Sequence, residues 1–459
     1  MQVHPSLRIF IGTALVAACV GGVSAQMVKV NGYRTIVEGY DWGPGVSKLI
    51  LEMGQPISAA FIDKGDFTVQ AVRKVPGTGE IVKAMNWATM TPYDSKGERK
   101  VIDAYLSNAK GEKVPDTMGT YVTIAMEVGP DIELASPLNF DLTTFLNSYV
   151  DIEHTIVIRG GLMSADTVVP PSACKGTSSL IADDFDVTGV TNFNDDRYGK
   201  ITLHYASYTP ARDGKKHPLV IWLHGAGEGG TNPYIALLGN RVTRLASDPI
   251  QNIMGGAYVL VPQSPIVWMN NGVKSYPEDG STQYTKALKA CIDTYIAKTP
   301  GIDPKRVYIG GCSNGGYMTM NMILSYPHFF TAAFPICETY SDAWISDDQI
   351  ASIKDLPIWF TQAKSDTTVK AAQGGFVLET YKRLIASGGK DIHLSYWDKV
   401  EDLSISYFKA DGKTPYEYNG HWSWIYTLDN QCTKDFDGST VKLGGKDTTI
   451  FEWLSAQSR

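Results

Sequence analysis

Residues 311–315 (GCSNG) have a pattern that can present a serine hydroxyl as a nucleophile. The run before them, 306–310, is β-branched and aromatic and predicts a buried strand, while 316–326 carry Met, Leu and Ile at helical spacing. A strand, a G-x-S-x-G turn and a helix in this order hold the serine on a turn so tight that its neighbours must lack bulk. The pentapeptide alone would also fit a glycine-rich turn. The flanking elements therefore carry the prediction that Ser313 is a nucleophile.

A serine hydroxyl is a poor nucleophile at neutral pH, so it needs a base, an acid that orients the base, and donors for the developing anion. His328 lies at the end of the helix that follows the serine, which leaves His393 and His421 as candidate bases. His393 lies inside the predicted strand 392–397. His421 follows a polar, glycine-bearing loop, from which a base can reach over the strand ends. We therefore predict His421 as the base.

The acid is predicted to be Asp366, which directly follows the predicted strand 357–361. A carboxylate there can fix the tautomer of the imidazole and stabilise its cation. Asp398, at the end of the next predicted strand, is the rival. An ordinary loop aspartate is the alternative interpretation of Asp366.

Two backbone N–H groups are expected to bind the anion: that of Asn314 and one from a loop after an early strand. The predicted strand 218–223 is followed by the loop sequence HGAGE, and Ala226 is the predicted second donor. His224 and Glu228 are predicted to hold this loop in place.

Two tryptophans are predicted to bind substrate. Trp268 follows the turn sequence PQSP after a predicted strand, and Trp422 is next to the proposed base. Both should face the crevice at the carboxyl ends of the strands, where open α/β sheets bind ligands. The alternative for each is a core tryptophan that anchors its loop.

The two halves of the chain have different patterns. Residues 27–165 contain short alternating runs broken by turn residues, which predicts an antiparallel sandwich. Residues 166–189 predict a linker, and 190–459 alternate strands and helices, as in a mostly parallel α/β sheet. Strands are predicted at 48–51, 59–62, 67–72, 121–126, 154–158, 218–223, 257–261, 306–310, 331–336, 357–361 and 392–397, and helices at 282–297, 316–326, 375–386 and from about 449.

Five segments together resemble the secreted esterases of the EstA type, which are related to prolyl-oligopeptidase-like and feruloyl-esterase-like α/β-hydrolases. They are LVIWLHGAGEGG, VLVPQSP followed by Trp268, VYIGGCSNGGYMTMNM, SDTTV and GHWSW. The resemblance covers most of the chain and implies an α/β-hydrolase fold preceded by an immunoglobulin-like sandwich. One departure from the family pattern is that Ala363 and Lys364 lie where the motif of the catalytic acid often has a glycine, which bears on the shape of that loop and not on its role. Tannase-like enzymes also have a cysteine before the serine, but they pair it with a second cysteine directly after the histidine. This chain has Trp422 at that position, so it does not fit that subfamily.

The first 25 residues predict an export signal, with Arg8 before an apolar stretch, 9–20, and a small-residue cleavage pattern that ends at Ala25. The stretch is too short to span a bilayer. The alternative is a lipoprotein box that ends at Cys19. Both predict an exported protein, secreted or periplasmic. The chain has 459 residues and a net charge of −7, without a basic patch of the kind that binds nucleic acid.

Five cysteines follow the leader: Cys174, Cys291, Cys312, Cys337 and Cys432. Their spacing fits no zinc pattern, and neither a metal nor a cofactor is predicted. An exported chain permits disulfides. Cys312 and Cys337 follow strands that should be neighbours, about 4.8 Å apart, and are one candidate pair; Cys337 with Cys432 is the other. Cys291 is predicted to be a buried free thiol.

The leading hypothesis is a serine carboxylesterase that hydrolyses short acyl or aryl esters, free or linked to a polymer, through an acyl-enzyme. A feruloyl or acetyl ester on a glycan is one possible substrate. A peptidase would use the same three side chains, but it usually needs a propeller-like gate, for which the N-terminal half is too short. A non-enzymatic glycan-binding protein would require a broken triad, and the sequence contains none.

Overall fold

The computed structural model describes residues 29–459, apart from 87–88, 142, 160–161, 163–164, 211–212, 370–373, 405 and 410. The predicted leader, with its cleavage site at Ala25 and the alternative at Cys19, lies outside the described residues. Among the helices that the described residues form, none is long and apolar enough to cross a membrane.

The N-terminal part is a two-sheet sandwich. Its strands are β1 Val30–Tyr40, β2 Gly43–Ser58, β3 Phe67–Lys74, β4 Lys83–Asn86, β5 Thr91–Asp94, β6 Lys96–Arg99, β7 Val101–Ser107, β8 Met118–Met126, β9 Leu138–Asp141, β10 Leu146–Tyr149, β11 Asp151–Ile158, β12 Thr167–Val169 and β13 Cys174–Ser179. One sheet has the strand order β13-β1-β2-β8-β7 and the other β12-β11-β3-β6, with two separate hairpins, β4-β5 and β9-β10.

Alternation along the strands builds the core of this sandwich. In β3, Phe67, Val69 and Ala71 are buried and the residues between them are not, because successive side chains in a strand point to opposite faces. The predicted all-β immunoglobulin-like sandwich is confirmed. The predicted strand at 59–62 is wrong: Ala59–Phe61 form a 3-10 turn, which begins where the Ser58 hydroxyl accepts the N–H of Ala60.

The predicted linker at 166–189 is also wrong for most of its length. Strand β12 pairs with β11 in one sheet, and β13 pairs in parallel with β1 in the other. Pro170 and Pro171 lie between them, at a 3-10 turn. Because proline lacks the N–H that a strand ladder needs, the pair ends one strand and lets the chain cross to the opposite sheet. Only residues 180–185 separate this sandwich from the next strand.

The C-terminal part contains a sheet of eight strands with flanking helices. Its strands are β14 Asp186–Asp195, β15 Gly199–Tyr208, β16 His217–Leu223, β17 Tyr258–Gln263, β18 Ile302–Cys312, β19 Ala332–Ile336, β20 Ile358–Ala363 and β21 Ile392–Trp397, followed by the short β22 Val400–Glu401, β23 Glu417–Tyr418, β24 Lys442–Leu443 and β25 Lys446–Asp447. The helices are α1 Pro233–Leu238, α2 Asp248–Met254, α3 Thr285–Lys298, α4 Asn314–Ser325, α5 Asp347–Ile353, α6 Val377–Ala386, α7 Trp424–Leu428 and α8 Ile450–Ala456.

The order of the large sheet is β14-β15-β17-β16-β18-β19-β20-β21. Strands β14 and β15 are antiparallel to their neighbours, and the other six run parallel. Every residue of β16, β17 and β20 is buried, as expected of parallel strands with helices on both faces. This arrangement confirms the predicted α/β-hydrolase fold. It also brings the loops that follow β16, β18 and β20 to the same edge of the sheet.

The two domains are joined by polar contacts as well as by chain connectivity. Arg241 after α1 donates to Asp41 of the sandwich over 2.7 Å, and the hydroxyl of Tyr416 donates to Asp131 over 3.0 Å. Buried apolar side chains of both domains belong to one continuous cluster. The sandwich is therefore packed against the hydrolase domain rather than tethered to it.

Candidate active site

Ser313 occupies the turn between β18 and α4. Its φ is 55° and its ψ is −115°, a conformation that is costly for any residue with a side chain. The N–H of Ser313 donates to the carbonyl of Ile336 on the neighbouring strand over 2.9 Å. The strained turn is thus fixed by the sheet, and the hydroxyl projects from it.

The glycines around Ser313 are required by close approach of other backbone. A Cβ atom at Gly311 would lie 2.3 Å from the carbonyl oxygen of Leu223, and one at Gly315 would lie 1.9 Å from the same atom. A Cβ at Gly316 would lie 2.8 Å from the Cα of Glu338. Strands β16 and β19 therefore leave room for hydrogen only at these three positions.

The structure brings the three predicted side chains together. Nε2 of His421 lies 2.8 Å from Oγ of Ser313, and Nδ1 of His421 lies 2.8 Å from Oδ2 of Asp366. Asp366 follows β20 in a tight turn, and His421 precedes α7, where its N–H donates to the side chain of Asn419 over 2.9 Å. The side chain of Asp366 is fully buried.

Asp366 is held as a carboxylate. One of its oxygens accepts the N–H groups of Thr368 and Val369 over 2.8 and 3.1 Å. The other accepts from Nε2 of Gln362 over 2.8 Å as well as from His421. Burial by itself raises the pKa of Asp366, but the bond and charge of His421 and these donors outweigh it, so the pKa lies below its usual value. An ionised Asp366 places the proton of His421 on Nδ1 and leaves Nε2 free to accept.

The rival residues lie in surroundings unsuited to these roles. His393 is held between Asp435, 2.7 Å from Nδ1, and Asp391, 3.0 Å from Nε2. Burial lowers the pKa of His393, but the two carboxylates raise it to about 9 in total, so this imidazole is already charged at neutral pH and cannot accept a proton. Asp398 is 82% exposed and pairs with Lys364.

The predicted anion donors both follow strands that are neighbours in the sheet. Asn314 is the first residue of α4, so its N–H has no acceptor within the helix. Ala226 begins the 3-10 turn Ala226–Glu228 directly after β16, and β16 is the neighbour of β18. Both N–H groups thus come from loops at the same edge of the sheet as Ser313.

The loop that carries Ala226 is fixed by buried polar groups. Nδ1 of His224 lies 2.7 Å from the carbonyl of Gly225, and its Nε2 accepts the N–H of Ser264 over 3.1 Å. Burial lowers the pKa of His224 to about 4, so the ring stays neutral. The side chain of Gln263 donates to the carbonyl of Glu228 over 2.8 Å. The prediction that His224 holds the loop agrees with these contacts.

Trp268 does not line a crevice, so its predicted role in substrate binding is wrong. Its side chain is 0% exposed and packs against His224 and Tyr284, with ring centroids 5.1 and 5.7 Å apart. Its backbone N–H donates to the side chain of Asn314 over 2.5 Å. Sequence reasoning missed this bond, because it predicted a role only for the backbone of Asn314. Trp268 anchors its loop to the serine turn.

Trp422 remains a candidate for substrate contact. It is partly buried and packs near Tyr418 and Trp424, with centroids 6.1 and 5.9 Å from its own. Its place next to His421 is as predicted, and its role in binding stays a prediction.

The five cysteines of the described residues are free thiols, so neither predicted disulfide forms. Cys312 donates to the side chain of Asn240 over 3.6 Å, and Cys432 lies 3.5 Å from the hydroxyl of Thr361. Neighbouring strand ends fix the spacing of two cysteines but not the directions of their Cβ atoms, on which a disulfide also depends. Within the described part of the chain, no group of three or more His, Cys, Asp or Glu side chains could hold a metal ion.

Two buried carboxyl groups flank the serine turn. A Cβ at Gly225 would lie 2.9 Å from Oε2 of Glu228 and 3.6 Å from Sγ of Cys312, the residue before Ser313, and Glu338 follows β19 beside Gly316. Burial raises the pKa of Glu228 to about 7 and that of Glu338 to about 8. Glu338 was not singled out from the sequence, since only the fold brings it beside the turn.

Comparison with known proteins agrees with this architecture. Residues 32–170 match the family described as the esterase Ig-like N-terminal domain, and 268–376 match the prolyl oligopeptidase family. A thermostable esterase of known structure superposes with a TM-score of 0.69 and 24% identity over 94% of this chain and 100% of its own. These matches agree with the α/β-hydrolase fold and with an N-terminal domain of the esterase Ig-like type.

Two further relatives match over smaller parts. A probable carboxylesterase, SOBER1-like, of Arabidopsis thaliana is 26% identical over 179 residues, which are 34% of this chain. The chain spans 63% of the length of that relative. An acylaminoacyl peptidase of Pyrococcus horikoshii has a TM-score of 0.37 and 16% identity over 61% of this chain and 45% of its own.

Replacing Trp268 tests its role as an anchor. We expect Trp268→Ala to lower the free energy of unfolding by about 3–5 kcal/mol, because a fully buried indole is removed from a packed site. Denaturant unfolding measures this loss, with Trp422→Ala as the partly buried comparison, for which a smaller loss is expected. An unchanged stability with a selective loss of binding for aromatic esters would contradict the anchoring role.

The buried carboxyl groups predict a loss of stability as the pH rises. Between the ordinary value of 4.5 and the raised values of about 7 and 8, Glu228 and Glu338 are protonated in the folded chain and ionised in the unfolded one. The unfolded state is therefore favoured increasingly with rising pH. Glu228→Gln and Glu338→Gln should each flatten the decline of the unfolding free energy from pH 5 to 8, whereas Glu80→Gln, at an exposed site, should not. If the unfolding free energy of the wild type and of all three variants declined in parallel with pH, the two buried carboxyl groups would not cause the decline.

Proposed function

We propose that the protein is an exported serine carboxylesterase, in which Ser313, His421 and Asp366 form the catalytic triad. The observation that carries the proposal is the continuous line of hydrogen bonds from the buried Asp366 through His421 to the hydroxyl of a strained serine. The predicted leader supports export.

The geometry suits acyl transfer. Oγ of Ser313 attacks the ester carbonyl carbon while Nε2 of His421 takes the hydroxyl proton. The N–H groups of Asn314 and Ala226 stabilise the oxyanion of the tetrahedral intermediate. The C–O bond to the alcohol then breaks, and His421 returns the proton to the leaving oxygen. Water attacks the acyl-enzyme by the same route in reverse and releases the acid and the free serine.

An ester is favoured over a peptide as substrate because the N-terminal domain matches the esterase type. The match of 268–376 to the prolyl oligopeptidase family makes a peptidase the second candidate. Against it, the N-terminal half is a sandwich and not the propeller-like gate expected for that role. We propose short acyl or aryl esters, including feruloyl or acetyl groups on a glycan, with Trp422 as a contact beside the base. Rates on a p-nitrophenyl ester, a p-nitroanilide peptide and a soluble glycan ester distinguish these candidates.

Ser313→Ala tests the nucleophile. The variant should lose ester hydrolysis by on the order of 10⁶-fold, as serine proteases do when the nucleophile is removed. It should keep its fold by circular dichroism. Ser325→Ala, at the exposed end of the same helix, is the matched control and should keep full activity. If Ser313→Ala kept more than a few per cent of the wild-type rate, Ser313 would not be the nucleophile.

The role of His421 predicts the direction of the pH dependence. A protonated imidazole cannot accept the serine proton, so kcat/KM should fall as the pH is lowered from 8 to 5. The rate is to be measured well below substrate saturation, with the fold monitored at each pH. A flat profile over this range, in a protein that stays folded, would exclude a histidine base.

A further inference from the structure

One hairpin of the sandwich belongs to neither of its two sheets. Strands β9 and β10 pair only with each other, and the hairpin reaches the loop of the hydrolase domain that follows β16. Nδ2 of Asn147, on β10, lies 3.5 Å from Oε1 of Glu228 and donates to it. A Cβ at Gly227 would lie 2.7 Å from Nδ2 of Asn147 and 3.6 Å from the ring of Phe140. The hairpin therefore touches the residue after Ala226, the proposed oxyanion donor.

This hairpin also carries two exposed aromatic rings. Phe140 is 46% and Phe145 48% exposed, and their centroids lie 6.2 Å apart in an edge-to-face arrangement. Phe145 has a φ of 56°, and its N–H donates to the carbonyl of Asp141 over 2.7 Å. A bulky residue in the left-handed region is strained. Phe145 thus combines a strained backbone with an exposed ring.

The contact partner of Asn147 is packed tightly into the hydrolase domain. Glu228 is 6% exposed, and Cβ atoms at Gly225 and Gly239 would lie 2.9 Å and 2.5 Å from its side chain. Its carbonyl is held by Gln263. Glu228 therefore has little room to move alone, and it belongs to the same 3-10 turn as Ala226.

We propose that the β9–β10 hairpin is one wall of the ester site. In this arrangement Phe140 and Phe145 contact an apolar acyl or aryl group of the substrate, and Asn147 is a positioning residue for the oxyanion loop. The inference rests on the proposed esterase function. The substrate is favoured as the occupant because the ring of Phe140 approaches Gly227, the neighbour of Ala226, which is the proposed donor to the ester carbonyl. The sandwich would then select among esters as well as support the fold.

Replacing the two phenylalanines in the full-length protein tests whether the β9–β10 hairpin contacts the substrate. Phe140→Ala, Phe145→Ala and the double variant should lower kcat/KM for p-nitrophenyl hexanoate and benzoate by about tenfold relative to p-nitrophenyl acetate, since apolar contact is lost only with the larger groups. Phe61→Ala is the matched control: that ring is also exposed and lies on the turn Ala59–Phe61 of the same domain. In the Phe61→Ala variant, the ratio of kcat/KM for the larger esters to that for the acetate should equal the wild-type ratio.

A double-mutant cycle tests the role of Asn147. Gly227→Ala should lower kcat with little change in KM, because the new Cβ collides with the Asn147 side chain and shifts the loop. Adding Asn147→Ala should restore part of the lost rate, so the two effects are not additive. Asn147→Ala alone should cost a few-fold in kcat. If the effects of the two substitutions on kcat were strictly additive, Asn147 would not position the oxyanion loop.

The controls separate this inference from the proposed function. If wild type hydrolyses esters and Ser313→Ala does not, but the hairpin variants keep the wild-type substrate ratio, the wall is refuted and the esterase stands. The wall is equally refuted if the variants change only self-association, measured by light scattering, since the rings would then belong to an interface between copies. If wild type hydrolyses none of the three esters, the proposed function itself fails.

Discussion

The close passage of β16 beside the serine turn is the constraint on which the site depends. The carbonyl of Leu223 occupies the space that side chains at Gly311 and Gly315 would need. That approach excludes side chains on both sides of Ser313, whose own backbone has the strained φ of 55° and ψ of −115°. Since the loop with Ala226 follows β16, the same contact brings this proposed oxyanion donor to the edge that carries Ser313, while the other, Asn314, follows the serine in the chain. Nucleophile and anion site are therefore set by one pair of neighbouring strands.

Charge in the neighbourhood of this turn is controlled by burial and by hydrogen bonds, in opposite directions. Asp366 is buried but surrounded by donors, so it stays ionised. Glu228 and Glu338 are buried with fewer donors, and their pKa values rise. His224 is kept neutral by burial, while His393 is charged by two carboxylates. The electrostatics of the region thus leave His421 as the imidazole that is placed to exchange a proton with Ser313.

Much of this arrangement could be predicted from the sequence, because strand periodicity and turn glycines act locally. Strand β21 was predicted at its observed bounds, and α4 within two residues. The meeting of Ser313, Asp366 and His421 could be predicted because loops after parallel strands share one edge of the sheet. Side-chain direction could not be predicted: Trp268 follows a strand as expected, but points into the core.

Contacts between residues far apart in the sequence could not be predicted either. The composition of 166–189 is that of a loop, and only tertiary pairing makes β12 and β13 strands. Likewise, the contact between Asn147 and Glu228 joins residues 81 positions apart. No local pattern records such a contact. Residues 59–61 are apolar, as in a strand, but they are exposed and form a 3-10 turn, because no partner strand or core covers them.

The crossing at Pro170 and Pro171 has a consequence for how the chain can be divided. Strand β12 forms the outer edge of one sheet and β13 the outer edge of the other. A fragment that stops at 165 would leave β11 and β1 as bare edges, which are templates for aggregation. During synthesis, too, the sandwich cannot close both sheets until residue 179 has been added, only seven positions before β14 begins. The first domain is thus completed by the same segment that leads into the second, and any excision, truncation or domain exchange has to be made beyond that segment.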